Sequence, residues 1–283
     1  MNNSFLENAN QGRNEWWRYL ATVLVMTLFA GLFSLTFAKV IMPEVKSHFV
    51  KTPFMADLVT RIALLGLFAS VLIGLAIMIK KVHKRDVAGL FSTDKKFSWR
   101  LWWSGFLMWA PIICLSSLAF NYNDFERFQS FQYSNIQLAG LLLIGLLGIG
   151  VQSTAEEIVF RGYILQGLSR VISKKALLVG LNSLIFGLLH MGYGFESLIE
   201  SFVFGVVMCW IVIDCGHIEF VSGVHTVNNL VLISFFPPNR EELSTFQWSV
   251  NWLSLVTFIF LIFGFYMLVT SLFKKTATDE SIH

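Results

Sequence analysis

The sequence predicts an all-α membrane protein, a polytopic bundle of about eight transmembrane helices with both termini in the cytoplasm. Of the 283 residues, 55% are hydrophobic and only 14% are charged, whereas soluble domains average about 25% charged residues. Eight apolar runs approach or reach the roughly 20 residues that span a hydrocarbon core. They lack the alternating pattern of barrel strands, and backbone groups in lipid must be satisfied within their own segment, so each run is predicted to be helical.

The predicted helices follow a polar N-terminal segment, residues 1–18, which ends in the interfacial residues Trp16 and Trp17. The first apolar run is longer than the core of a cleaved signal, so we expect it to stay as a helix. The predicted spans are 19–41, 58–79, 101–120, 136–155, 176–192, 197–215, 219–236 and 250–273. We expect one transmembrane domain over 19–275 and a cytoplasmic tail at 276–283.

Basic residues predict the orientation of the bundle. The connection 80–100 carries seven Lys and Arg residues, which the positive-inside rule places in the cytoplasm. Alternation then puts fourteen basic loop residues inside and five outside. The five predicted external residues are Lys39, Lys46, Lys51, Arg127 and Arg240. Three tryptophans that follow the basic loop are expected to form an interfacial belt: Trp99, Trp102 and Trp103. A net charge of +3 gives no reason to expect a nucleic-acid partner, so membrane lipid is the expected surrounding.

Ionisable side chains at membrane depth are costly, and those that persist usually face a cavity and carry function. The first such group follows the fourth run. Glu157 and Arg161 are four residues apart and share a helix face, so they can pair. Glu156 lies about 100° around the helix, which leaves its carboxylate for a different partner.

The other two groups are His190, near the end of the fifth run, and His225 with Asn229, which share one face of the seventh helix. Taken singly, each group has an ordinary interpretation, such as a hydrogen-bonded packing histidine or a solvated ion pair. Exposing all of them to lipid would cost several kcal/mol each. Their occurrence together predicts a shared polar cavity.

The remaining polar residues receive structural interpretations. Four histidines fall in predicted loops or tails: His48, His83, His217 and His283. Three acidic residues lie near helix ends: Asp214, Glu196 and Glu200. The three cysteines are odd in number and lack CxxC spacing, so we interpret them as small apolar side chains: Cys114, Cys209 and Cys215.

These motifs resemble the CAAX protease and bacteriocin-processing (CPBP, or Abi) family of intramembrane proteases, which includes the eukaryotic CAAX prenyl protease 2. The family has EExxxR, FxxxH and HxxxN motifs in that order. Here they read Glu156-Glu157 with Arg161, Phe186 with His190, and His225 with Asn229. The FRGY sequence at 160–163 is also similar to the family pattern, whereas residues 1–130 show no comparable signature.

The resemblance implies an intramembrane endopeptidase of the bacterial plasma membrane, with a protease core at about 136–236 and a membrane-associated peptide or protein as substrate. Glu156 and His190 would activate a water, His225 and Asn229 would stabilise the oxyanion, and Glu157 with Arg161 would support them.

Three alternatives stay open. The family has also been described as metalloproteases, so Glu156, His190 and His225 could form a zinc site, although the lack of an HExxH pair favours glutamate-activated water. A non-catalytic self-immunity or scaffold protein of the same family is a second reading. A small transporter is a third, but the inverted repeat expected of one is not visible.

The depth of the predicted site raises a difficulty. Glu156 and His225 lie near the cytoplasmic ends of their runs, but His190 is about 21 Å along a helix that starts at residue 176. We therefore expect that the fifth helix begins below the membrane surface, that it tilts strongly, or that the cavity is a deep cone open to the cytoplasm.

Overall fold

The computed structural model describes residues 4–48, 52–120, 133–236 and 246–280. Within these ranges every regular element is helical, apart from one isolated bridge between Ser92 and His217. The eight long helices are α1 (Trp16–Thr36), α2 (Pro53–Met78), α3 (Trp99–Phe120), α4 (Asn135–Glu157), α5 (Lys175–Leu189), α6 (Phe195–Cys215), α7 (Glu219–Phe235) and α8 (Trp252–Glu280). The predicted polytopic helical bundle is confirmed.

Three helices continue beyond these bounds through π-helical segments. The segments are Phe37–Ile41 and then the α-helical Met42–His48 after α1, Ile79–His83 after α2, and Ile158–Leu165 and then the α-helical Gln166–Ser169 after α4. With these extensions, six of the helices in the described ranges are long and apolar enough to cross a membrane, namely all except α5 and α7.

Helices α5 and α7 are shorter than predicted, at 15 and 17 residues. Their lengths of about 23 and 26 Å fall short of the roughly 30 Å hydrocarbon core. Helix α5 stops because a 3₁₀ turn at Met191–Tyr193 follows His190, and Gly194 then takes a φ of 114°. The predicted tail 276–283 is helical as far as Glu280, and 281–283 lie outside the described residues.

Segments that are distant in sequence meet at one end of the bundle, which we call the basic end and define by residues 4–15, 84–98, 170–174 and 216–218. Arg13 N donates to His83 O at 2.6 Å, and Lys95 Nζ donates to Gln11 Oε1 at 3.2 Å. Arg170 Nη1 donates to Asn10 Oδ1 at 2.6 Å. The clustering of these basic segments agrees with the prediction that they lie on one side of the membrane.

The C-terminal part of α8 also lies toward the basic end, since Tyr266 donates to Asp214 near the α6–α7 turn at 3.0 Å. Of the residues predicted to be external and basic, three lie outside the described ranges: Lys51, Arg127 and Arg240.

Two residues predicted to lie in a loop or at the lipid interface are buried. The His83 ring is fully buried; its Nδ1 donates to Arg13 O at 2.9 Å and its Nε2 lies 2.9 Å from Tyr163 Oη. Trp102 is only 5% exposed, whereas Trp99 is 65% exposed. Only Trp99 and Trp103 fit the predicted belt, because the Trp102 ring is turned into the bundle beside Gly150 of α4.

Helix α7 runs through the centre of the bundle, with 12 of its 17 residues buried. Close backbone contact with α3 makes this possible. A Cβ at Gly223 would lie 1.9 Å from Trp102 O, and one at Gly105 would lie 2.0 Å from Phe220 O. Small residues at such crossings let helices approach closely in membranes, so a helix carrying His225 and Asn229 is surrounded by protein instead of lipid.

Gly223→Ala is expected to destabilise the protein by about 1–3 kcal/mol, the usual cost of overpacking, because the new methyl group must push α3 away from α7. Thermal unfolding in detergent measures the effect. Gly264→Ala on α8 is the matched control, since its added Cβ meets nothing within 4 Å and Ala favours helix over Gly. Equal melting temperatures for the two variants would contradict the prediction.

Candidate active site

The two carboxylates of the predicted site end α4, and the helix continues past them as a π-helical segment, Ile158–Leu165. Such segments within α-helices are frequent at functional sites. Asn182 Nδ2 of α5 donates to the Phe160 carbonyl within this segment at 2.9 Å. The hydrogen bond fixes α4 against α5, which carries His190 at its C-terminal end.

A fully buried ion cluster joins α4 to α7. Arg161 Nη1 donates to Glu157 Oε1 at 3.1 Å, and both side chains have no exposed surface. His225 Nδ1 donates to the same oxygen at 2.7 Å. The Arg161 guanidinium also lies 4.5 Å from the centroid of the Phe186 ring. The predicted pairing of Glu157 with Arg161 is present, and Glu157 in addition orients the imidazole of His225.

Glu156 points away from this cluster, toward the Nε2 atoms of both histidines. Its Oε2 lies 3.9 Å from His190 Nε2 and 3.8 Å from His225 Nε2, and it is buried without a hydrogen-bond partner. His190 Nδ1 lies 2.9 Å from Phe186 O. Because a carbonyl only accepts, Nδ1 carries the proton, and Nε2 of the neutral ring is an acceptor. Helices α4, α5 and α7 thus bring together the residues predicted from spacing.

The depth difficulty has a simple structural answer. The helix that begins as α4 continues to Ser169, so Glu156 precedes its end by 13 residues, or about 20 Å. His190 follows Lys175 by 15 residues, or about 22 Å. Both therefore lie at a similar distance from the turn 170–174. Glu156 lies near the end of its apolar run, but the helix continues past it through the buried Glu157–Arg161 pair, so Glu156 is deeper in the bundle than the run alone indicates.

A cavity of about 460 Å³ begins at the two histidines and runs away from the basic end. Phe186, His190 and His225 line its inner part, and Phe120 and Asn251 line its outer part. Glu156 is not a lining residue, but its Oε2 is within 4 Å of two side chains that are. The cavity therefore extends away from the basic end, whereas the expected cone would open at the end that carries the basic residues.

Asn229 also lines this cavity and belongs to a chain of hydrogen bonds that spacing did not reveal. Trp109 Nε1 donates to Asn228 Oδ1 at 3.2 Å, and Asn228 Nδ2 donates to Asn229 Oδ1 at 3.4 Å. The Nδ2 donors of Asn229 are left for another partner. Trp109 has no sequence signal for this role, because its contact depends on how α3 packs against α7.

Gln152 and Phe204 are two further residues at the site. Gln152 Nε2 donates to Glu156 Oε1 at 3.3 Å, and its position four residues before Glu156 could have indicated this. The Phe204 ring lies 5.2 Å from the His225 ring, edge to face. These contacts help to position Glu156 and His225.

The zinc alternative finds no support in the donor geometry. Among the described residues, no group of three His, Cys, Asp or Glu side chains is arranged to hold a metal ion. Tetrahedral zinc with bonds of about 2.0–2.1 Å brings its ligand atoms to about 3.4 Å from one another, whereas Glu156 Oε2 lies 3.8 and 3.9 Å from the histidine nitrogens.

Comparison with known proteins adds independent information. The family described as "Type II CAAX prenyl endopeptidase Rce1-like" matches residues 135–231, a range that starts with α4 and contains every residue of the predicted motifs. A Bacillus subtilis (strain 168) protein, "Uncharacterized protein YyaK", is 26% identical over 245 residues, covering 82% of each chain. No solved structure matches the chain. The three motifs, their convergence in space and the family match lead to one conclusion: over residues 135–231 this multi-pass membrane protein is similar to the type II CAAX prenyl endopeptidases, a family of membrane proteases.

Proposed function

We propose that the chain is an intramembrane endopeptidase in which Glu156 activates the water that hydrolyses the peptide bond. The observation that carries the proposal is the buried Glu156 Oε2, which lacks a hydrogen-bond partner and faces two imidazole nitrogens at 3.8 and 3.9 Å. These distances are too long for direct hydrogen bonds. A water with ordinary hydrogen-bond lengths of about 2.7–2.9 Å bridges such a gap.

In the first step, the water lies between Glu156 Oε2 and His190 Nε2. It transfers one proton to the Glu156 carboxylate and directs the other at His190 Nε2, which accepts because Nδ1 donates to Phe186 O. The water oxygen forms a bond to the carbonyl carbon of the substrate, and the carbonyl π electrons move to the oxygen. General-base catalysis of this kind contributes about 10²–10⁴-fold.

The oxyanion is stabilised by Asn229 Nδ2 and His225 Nε2, both at the inner part of the cavity. Since His225 Nδ1 already donates to Glu157, donation from Nε2 requires the doubly protonated ring. The Glu157 carboxylate is the counter-charge for that form. Donors that are fixed in a site of low dielectric stabilise developing charge strongly, and the loss of one costs about 10²–10³-fold in rate. Protonated Glu156 then gives its proton to the leaving nitrogen as the C–N bond breaks.

The proposal is tested by comparing membrane peptides from cells that carry wild-type protein or Glu156→Ala. We expect at least one uncleaved precursor to accumulate with the variant, and the same precursor with His190→Ala and His225→Ala. Immunoblotting shows that the variants insert at wild-type levels. An unchanged peptide pattern would contradict the protease proposal, and a protective phenotype that survives all three substitutions would support a non-catalytic immunity or scaffold role instead.

A further inference from the structure

The direction of the cavity can be fixed against the helices that line it. Helices α3 and α7 both start at the basic end, where Ser98 N donates to Glu219 Oε1 at 3.0 Å. Helix α3 ends 22 residues later at Phe120, about 33 Å away. Phe120 lines the outer part of the cavity, so this part lies close to the end of the bundle that is opposite to the basic end.

The start of α6 and the segment before α8 build the wall of this outer part. Phe195 N donates to Gln247 O at 2.9 Å, and Asn251 N donates to Glu196 Oε2 at 3.0 Å. Asn251 and Ser254 also line the cavity. With the basic end in the cytoplasm, as the positive-inside rule requires, this wall faces the exterior.

The charged side chains that line the outer part of the cavity are all acidic. Glu196 and Glu200 follow each other by one helical turn along α6 and both line the cavity, whereas no Lys or Arg occurs among its described lining residues. His225 lines the inner part of the same cavity. Its ring is almost completely buried, and its Nε2 lies 3.8 Å from Glu156 Oε2, which is too far for a hydrogen bond. Clefts lined by one sign of charge with low-dielectric walls concentrate the opposite charge. A substrate on the way to His190 therefore passes two carboxylates.

We propose that the site takes its substrate from the external face of the membrane, as a peptide segment whose basic residue is bound by Glu200 and Glu196. The inference deepens the proposed protease function by naming the face and the charge of the substrate. The sequence analysis interpreted Glu196 and Glu200 as structural because they lie near a helix end. That position does not reveal that both residues line the cavity.

Thiol labelling of intact cells tests the direction. Single variants Ser201→Cys and Ser254→Cys place a thiol in the cavity, Asn135→Cys places one on the exposed surface of the same end, and Lys95→Cys places one at the basic end. Membrane-impermeant methanethiosulfonates are the probes, and wild type, with its own cysteines, gives the baseline. We expect the first three variants to react in intact cells and Lys95→Cys to react only after permeabilisation. Labelling of Lys95→Cys in intact cells with protection of the cavity variants would overturn the proposed direction.

The charge preference is tested with a cationic and an anionic methanethiosulfonate. At each cysteine the rate of the cationic reagent is divided by the rate of the anionic reagent. The value at Ser201→Cys is then divided by the value at Asn135→Cys, and this quotient is expected to be on the order of tenfold. Adding Glu196→Gln and Glu200→Gln should reduce this quotient to about one. A quotient near one before these substitutions would contradict cation selection. Labelling requires no cleavage, so the result is distinguishable from a failure of the protease proposal.

Discussion

Glu156→Gln is expected to lower the rate of peptide hydrolysis by about 10²–10⁴-fold, the range for a lost general base, while the protein keeps its melting temperature. The amide has the shape of the carboxylate but cannot take a proton from water. Little stability is lost, because Glu156 Oε2 has no hydrogen-bond partner and Oε1 accepts only from Gln152. Turnover of the precursor found by the peptide comparison, measured in detergent beside thermal unfolding, checks both parts.

Glu44→Gln is the matched control, since Glu44 is an exposed carboxylate after α1 and its change should leave the rate unaltered. A double variant, Glu156→Gln with His190→Gln, should be only slightly slower than the single variant, because residues that activate one water act as a unit. Near-normal turnover by Glu156→Gln in folded protein would exclude the assigned role.

Arg161→Met is expected to destabilise the protein by about 3–5 kcal/mol, the cost of removing one partner of a buried ion pair. Glu157 would then keep a negative charge at a position without exposed surface, with His225 as its remaining hydrogen-bond donor. The contact of the guanidinium with the Phe186 ring would also be lost. Thermal unfolding in detergent and the yield of folded protein measure the effect.

Combining Arg161→Met with Glu157→Leu should restore most of that stability, because replacing both partners of a buried pair by apolar groups is often neutral. The double variant should still hydrolyse slowly, since His225 would have lost the acceptor for its Nδ1. Recovery of stability without recovery of rate separates the structural from the catalytic part of the cluster. A stable Arg161→Met variant would show that the pair contributes little.

Hydropathy predicted the helical bundle well because each span is specified by its own residues. The pairing of Glu157 with Arg161 and the shared face of His225 and Asn229 were predictable for the same reason, since four-residue spacing is a local property of a helix. Helix α7 begins at the predicted residue and ends one residue early, whereas α5 ends three residues early because a 3₁₀ turn and Gly194 follow His190.

Features that depend on contacts between distant segments could not be predicted. The burial of His83 and Trp102 follows from packing across the bundle, and so does the hydrogen bond from Trp109 to Asn228. The direction of the cavity depends on α3, the start of α6 and α8. Of these, α3 and α8 lie outside residues 135–231 that match the family, so the outer cavity is the part on which family likeness is least informative.

The packing of the basic end has an electrical consequence. In the part of the chain that the structure describes, the cavity reaches from one end of the bundle to His190 and His225. Only the protein between these histidines and the basic end then separates the cavity from the opposite side. There Tyr163, His83 and Leu90 are almost completely buried, and the N-terminal segment is bonded across the end through Arg13. A charge that crosses a membrane potential releases about 2.3 kcal/mol per 100 mV. The buried residues beneath the N-terminal segment are therefore the part of the protein across which any potential difference between the cavity and the basic end would fall.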